Sequence, residues 1–422
     1  MGYNFFNIQP AKPSFEEKLR GFTAFLGRAI GKGEKIPFAD NDVTYILKLQ
    51  NDRIAEKGYE LEYEVDTRNK GQNNFVAGSH WMDSHYSSTV CFRFCDVKRV
   101  VRKGGRKLFR DKRKSVLYGI VTDVLSNSHP ENDSFCCPNC GAVTTIAELQ
   151  EGCPYCSTMY KMDDLFPRIT DYYFLDDGGL DKDGFKKGFF SFMGLWMIIF
   201  LVITCIVNPE SFKNIFTLIG LIFGLFFGSA VLGYFTFSIF LLFRTIVMAV
   251  LSAGKMGTAG SRMRFEARMK KVSPEFSFEY FTSKAISLIK TAVYSKDEGE
   301  LLFYKGEPLP SSMKHIIDLN YGGALGLNRF KEKDGIVTVE TRAFFDVLYA
   351  KDKRVRFKHQ IFYAKFQRRV DIPVDFNFSM TRICCPTCGS SFDATKNKFC
   401  PSCGHEYEII SNDWVLVELR TE

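Results

Sequence analysis

The sequence predicts an α+β protein in which two cytoplasmic, ribbon-bearing α+β modules flank a two-helix transmembrane hairpin. Three observations carry that prediction. Four Cys-Pro-x-Cys motifs fall in two pairs, and a long apolar stretch separates the pairs. Each flank shows helical spacing first and strand alternation afterwards. The 422 residues suffice for two or three domains, and 45% hydrophobic with 15% aromatic content excludes a disordered chain.

The N-terminal module covers residues 1–185. Apolar residues recur at helical spacing over Ser14–Ile30 and Asp40–Lys57, and strand-like runs follow at Tyr59–Val65, Ser88–Phe94 and Ser115–Val124. The first thirty residues carry charges throughout, so no secretory signal is expected. Ten basic residues crowd one segment: Lys98, Arg99, Arg102, Lys103, Arg106, Lys107, Arg110, Lys112, Arg113 and Lys114. Gly104-Gly105 in their midst suggests a hairpin tip. On a chain of net charge +8 such a patch suits anionic lipid or the phosphates of nucleic acid, and equally a solvated hairpin with no ligand.

A zinc ribbon is expected at 136–157 and a second at 384–404. The first pair of knuckles offers Cys137, Cys140, Cys153 and Cys156, and the second Cys385, Cys388, Cys400 and Cys403. Two tight turns that each present two thiolates bring four sulfurs together tetrahedrally, the preference of zinc. Cys136 and Cys384 stand next to these ligands, but only Cys137 and Cys385 give the two-residue spacing. Two structural Zn2+ ions are therefore expected. A site closed by four thiolates leaves no open position for substrate, which argues against metal catalysis. Of the 13 cysteines, Cys91, Cys95, Cys136, Cys205 and Cys384 remain as thiols, in keeping with a reducing compartment.

Other polar clusters are weaker. His80 and His85 are five apart, which suits neither a strand face nor one helical face. Asp176–Gly184 lacks the ligand ladder of a calcium loop and reads as a linker. His405 stands beside a site that four cysteines already complete. No phosphate-binding loop, nucleophile elbow or carboxylate pair is present, so an enzyme is not expected.

The hairpin covers 186–254, with spans at about 189–207 and 215–243. Each is long enough to cross a hydrocarbon core of about 30 Å. Gly220, Gly224 and Gly228 recur every fourth residue, a smooth face either for the first helix or for a second copy of the chain. Neither span carries the ionisable groups of a pump. Lys182, Lys186 and Lys187 precede the hairpin and a basic linker at 255–271 follows it, whereas the connecting turn has only Lys213. The positive-inside bias then places both termini in the cytoplasm of a cell whose inner membrane holds the hairpin.

The C-terminal module, 272–422, opens with Ser273-Pro274-Glu275-Phe276-Ser277 and an amphipathic helix with Phe278, Phe281, Ala285, Leu288, Ile289 and Ala292 on one face. Strands are expected at Ile336–Tyr349, Val355–Arg368, Phe376–Met380 and Trp414–Leu419, with the second ribbon before the last. This opening, the inserted Cys-Pro-x-Cys-Gly ribbon and the closing Asp413-Trp414-Val415-Leu416 resemble the Tim-forty-four-like domain of membrane-attached bacterial proteins. The resemblance implies a cone-shaped antiparallel sheet with helices, similar to nuclear-transport-factor-two-like or cystatin-like folds. It further implies a membrane-proximal scaffold or protein-contact role. The N-terminal module also places its ribbon before a final strand, near Leu165–Phe174, which suggests a duplicated plan. The expected function is a membrane-anchored, zinc-binding adaptor that presents its modules to a cytoplasmic protein. A small-molecule or enzymatic cone-fold domain and a membrane-tethered nucleic-acid binder are the alternatives.

Overall fold

The computed structural model describes residues 9–68, 76–82, 86–124, 134–137, 140–145, 148–149, 152–158, 167–177, 182–207, 215–274, 276–371, 383–385, 387–388, 390–392, 399–406, 410 and 413–421. The chain divides into two compact units, Met1–Asp177 together with Gly257–Glu422, and Gly178–Met256.

In the first unit, helices α1 (Pro13–Lys32) and α2 (Asn41–Glu56) precede a sheet. Pro13 opens α1, where a missing N–H is harmless, and Phe15, Leu19, Phe22, Leu26, Ala29 and Ile30 form its buried stripe. A Cβ at Gly31 would lie 2.2 Å from the Leu61 carbonyl oxygen, so glycine lets α1 press onto the sheet. The α2 N-cap is Asp40, whose carboxylate accepts from the Val43 N–H at 2.8 Å.

The sheet contains β1 (Gln9–Pro10), β2 (Glu60–Thr67), β3 (Val76–Met82), β4 (Tyr86–Lys103), β5 (Arg106–Val124) and, beyond the ribbon strands β6 (Ser134–Cys136) and β7 (Val143–Thr145), β8 (Arg168–Asp176). Its order is β1-β3-β4-β5-β8, with β2 also paired to β4. The β4–β5 hairpin turns at Gly104 and Gly105 with φ of 55° and 74°, the left-handed pair that a type I′ turn needs.

The C-terminal stretch uses the end of a long helix, then a helix Phe278–Tyr294 capped by Ser277, and strands β9 (Ile316–Lys333), β10 (Ile336–Lys351) and β11 (Arg354–Arg369). A small ribbon pair, β12 (Ile383–Cys384) and β13 (Ser391–Phe392), precedes β14 (Val415–Thr421). The antiparallel order is β14-β11-β10-β9. Both stretches thus end alike: a return strand after the ribbon pairs with the strand before it, β8 on β5 and β14 on β11. Strand β9 has no counterpart in the sequence reading, because Gly322, Gly323 and Gly326 and a charged end blur its alternation. The strand expected at Phe376–Met380 lies outside the described residues.

The two stretches share their interior. Ile46 of α2 sits in the C-terminal core with Phe281, Phe345 and Trp414. Ile317, Leu348 and Ala350 sit in the N-terminal core with Leu61 and Val101. Gln50 donates to the Ile317 carbonyl and to Asp318, both at 3.1 Å. Arg53 donates to the Ser295 carbonyl at 2.8 Å and the Met313 carbonyl at 3.1 Å. Asn320 exchanges two bonds with the Phe174 backbone, at 2.8 and 2.7 Å. Buried polar groups here have partners supplied by the other stretch, as desolvation demands.

The second unit holds α3 (Lys182–Val207) and the first part of α4 (Ile215–Val272), so the helix Phe278–Tyr294 is α5. Two segments are long and apolar enough to cross a membrane: Phe185–Val207, mean hydropathy 2.5, and Ile219–Phe243, mean hydropathy 2.0. They pack antiparallel. Phe185 meets Phe237 at 5.2 Å, and the Trp196 indole donates to the Thr236 hydroxyl at 3.1 Å. A Cβ at Gly233 would lie 2.8 Å from the Met193 backbone, and one at Gly228 would lie 3.2 Å from the Phe200 ring. Among the described residues nothing lies within 4 Å of such a Cβ at Gly220 or Gly224. The hairpin therefore uses Gly228 and Gly233 for its own packing, and among the described residues Gly220 and Gly224 face none.

Candidate metal centres

Each ribbon is built from two copies of one backbone device. The N–H groups of Cys137, Cys153, Cys385 and Cys400 donate to the carbonyls of Ala142, Thr158, Ser390 and His405, at 2.7 to 2.9 Å. Gly141, Ser157 and Gly404 return an N–H to the first cysteine's carbonyl of their knuckles, at 2.7 to 2.8 Å. All three take positive φ, and Ser157 does so without glycine's freedom. These turns hold the thiols of each knuckle on one side.

The sulfurs converge in two groups, Cys137, Cys140, Cys153 and Cys156, and Cys385, Cys388, Cys400 and Cys403, with all ligand atoms of a group within 4.8 Å of one another. The Cys137–Cys156 and Cys140–Cys153 separations are each 3.7 Å. Cys385–Cys403 is 3.5 Å and Cys388–Cys400 is 3.7 Å. A disulfide needs about 2.05 Å, so none of these is one. Sulfurs at about 2.3 Å from a tetrahedral ion stand about 3.8 Å apart, close to the separations observed. Both groups can hold a metal ion.

The free thiols within each group are unequal. The Thr158 hydroxyl and N–H stabilise the Cys156 thiolate and lower its pKa to about 6. Burial raises Cys385, but the Cys388 and Thr387 N–H groups overcome that and bring it to about 6. Each group thus contains a sulfur readily deprotonated at neutral pH, and an incoming ion displaces the remaining protons. By contrast Cys91 and Cys95, inside the N-terminal core, are pushed up to about 12 by burial.

The two centres differ in their support. Cys385 and Cys400 belong to the C-terminal core beside Trp414. Cys137 and Cys153 are buried outside the N-terminal core cluster, and Tyr155 on that ribbon is 71% exposed. His405 contributes its backbone carbonyl to a knuckle. His85 lies outside the described residues.

The ten basic residues do not form one patch. Arg99 is buried, with Asp111 at 2.6 Å and Asp318 at 2.9 Å. Arg113 meets Asp111 at 2.6 Å and Asp346 at 3.5 Å, and lies 3.9 Å over the Phe357 ring. Both therefore join the two stretches of the first unit. Lys98 pairs with Glu64 at 2.8 Å and Arg102 with Glu62 at 3.2 Å, both carboxylates on β2. Lys103 lies 4.4 Å over the Tyr59 ring. Arg106, Lys107, Arg110, Lys112 and Lys114 are exposed.

A polar cavity also lies where the stretches meet, lined by Gln50, Tyr63, Tyr172, Lys290, Tyr294 and Asp318 among others. Burial, then Asp318, pushes the Tyr63, Tyr172 and Tyr294 hydroxyls up, so they stay protonated donors. Its volume is about 20 Å³, against about 10–15 Å³ for one water, so it suits bound water. No protein-family model, no curated protein and no solved structure matches this chain.

Proposed function

We propose that the protein is a membrane-anchored scaffold: its apolar hairpin tethers one cytoplasmic body, stiffened by two structural zinc ions, that binds a protein partner. The observation that carries this reading is the pairing of two closed four-thiolate centres with an apolar hairpin inserted into a single compact unit. Closed thiolate sites hold a fold together and offer no place for substrate. The hairpin's flanks, Asp177 and Gly257, belong to one unit, which supports a reading with both on the same side of a bilayer, as an even number of spans provides. Lysines and arginines at those flanks favour the cytoplasmic face of the inner membrane. The helix-then-meander order of 278–421, with its inserted ribbon and closing tryptophan, is in keeping with a Tim-forty-four-like domain. No catalytic role is assigned. In this reading Gly220 and Gly224 are free to meet the same face of a second copy.

Metal analysis of the full-length protein purified in detergent, with protease protection on sealed vesicles, tests the proposal. Two zinc ions per chain are expected, with both termini digested from the cytoplasmic side. Fewer than two zinc ions, or termini on opposite sides, would overturn it.

A further inference from the structure

Two basic hairpin tips, one from each stretch of the first unit, meet on a single tyrosine. The β4–β5 tip places Lys103 4.4 Å over the Tyr59 ring. The Tyr59 hydroxyl donates to the carbonyl of Asp352 at 2.9 Å, in the β10–β11 turn. Arg106, Lys107, Lys351 and Lys353 therefore crowd one exposed pole, with Lys57 at the C-terminal end of α2. The local field registers this crowding. Burial lowers the pKa of Lys57, and Arg53 and Lys103 add to the drop. His315 is lowered by burial first, then by Lys57 and Lys351. The nearby carboxylates are Glu56, Glu60 and Asp352, and Glu56 is already held by Lys296 at 3.4 Å.

We propose that these paired tips are the docking surface for an acidic polypeptide segment of the partner protein. The proposal rests on the scaffold reading above and names the chemistry of its partner. Two observations select the occupant. Nucleic acid is disfavoured because Tyr59, the aromatic ring at the pole, is only 5% exposed with its hydroxyl engaged, so it offers bases no stacking face. The pole is also richer in lysine than arginine, point charges rather than the bidentate forks suited to phosphate. Carboxylates spaced along a flexible segment satisfy such point charges.

The test uses the full-length protein in phosphatidylcholine nanodiscs and a fluorescent polyglutamate peptide, read by anisotropy. The peptide is expected to bind, and Arg106→Glu with Lys353→Glu to weaken it by about tenfold or more. Lys112→Glu, farther along β5, is expected to leave affinity within about twofold, because a charge beyond a Debye length is screened. Unchanged zinc content and thermal unfolding show that the variants fold. Affinity indifferent to the tips overturns the proposal. So does an oligonucleotide of equal charge that binds more tightly, or loss of peptide binding once phosphatidylglycerol enters the disc. Tip-dependent binding without any partner recovered from membranes would sink the scaffold reading alone. A partner captured equally by the doubly reversed chain would sink the docking surface alone.

Discussion

Lys284 on α5 holds two carboxylates from opposite ends of the chain, Asp42 at 3.1 Å and Asp413 at 3.7 Å. Burial lowers its pKa, but the two carboxylates outweigh burial and raise it. The ammonium thus contributes stability that is complete below its ordinary value of 10.5 and is lost as pH rises through the folded value. Lys284→Met takes the ammonium away from two buried carboxylates and is expected to cost about 3–5 kcal/mol in denaturant unfolding, and a loss under about 1 kcal/mol would contradict the clasp. Asp40 behaves in the opposite sense. Burial, then Asp42, raises its pKa well above 3.8, against the Val43 N–H, Lys284 and Arg168. Ionising it costs stability as pH rises from 3.8 towards its folded value. Asp40→Asn keeps the cap oxygen for Val43, so its urea midpoint should exceed that of the parent at pH near 7 and match it in acid. A lower midpoint at neutral pH would contradict this. The eight ribbon cysteines were legible because their spacing is local. Arg99 was not: ten similar cations give no sign of which turns inward, and Asp318 stands 219 residues away.

At the scale of elements the two ribbons have unequal duties. The second lends Cys385 and Cys400 to the C-terminal core, whereas the buried sulfurs of the first stand apart from the N-terminal core cluster. Cys385→Ser with Cys388→Ser should release one metal ion and lower the melting temperature of the whole body. Cys137→Ser with Cys140→Ser should release one metal ion and leave the main transition within about 2 °C, since a site outside the core cluster changes the free energy of global unfolding little. Equal losses for the two would contradict the asymmetry. Helices α1, α2 and α5 and strands β10 and β11 were readable from the sequence, because each buries one face along its length. Strand β9 escaped, since glycines interrupt it and its last residues are charged and exposed.

The chain interrupts one body with an apolar hairpin long enough to cross a membrane. Residues 1–177 leave Ile317, Leu348 and Ala350 missing from their own core, and 257–422 lack Ile46. Each stretch expressed alone should aggregate, whereas the two expressed together should copurify as a folded complex carrying two metal ions. Either fragment folding cooperatively by itself would contradict a shared interior. The sequence showed the hairpin, the ribbons and the repeated order of elements. It could not show the union, because the buried pairs Arg99–Asp318, Lys284–Asp42 and Lys290–Asp171 connect residues on opposite sides of the hairpin. The scaffold reading is tested most directly by cross-linking the full-length protein in native membranes and identifying what it holds by mass spectrometry. A protein partner in stoichiometric amount, joined to the body formed by residues 1–177 and 257–422, is the result expected. Recovery of lipid alone, or of nothing, would contradict the scaffold.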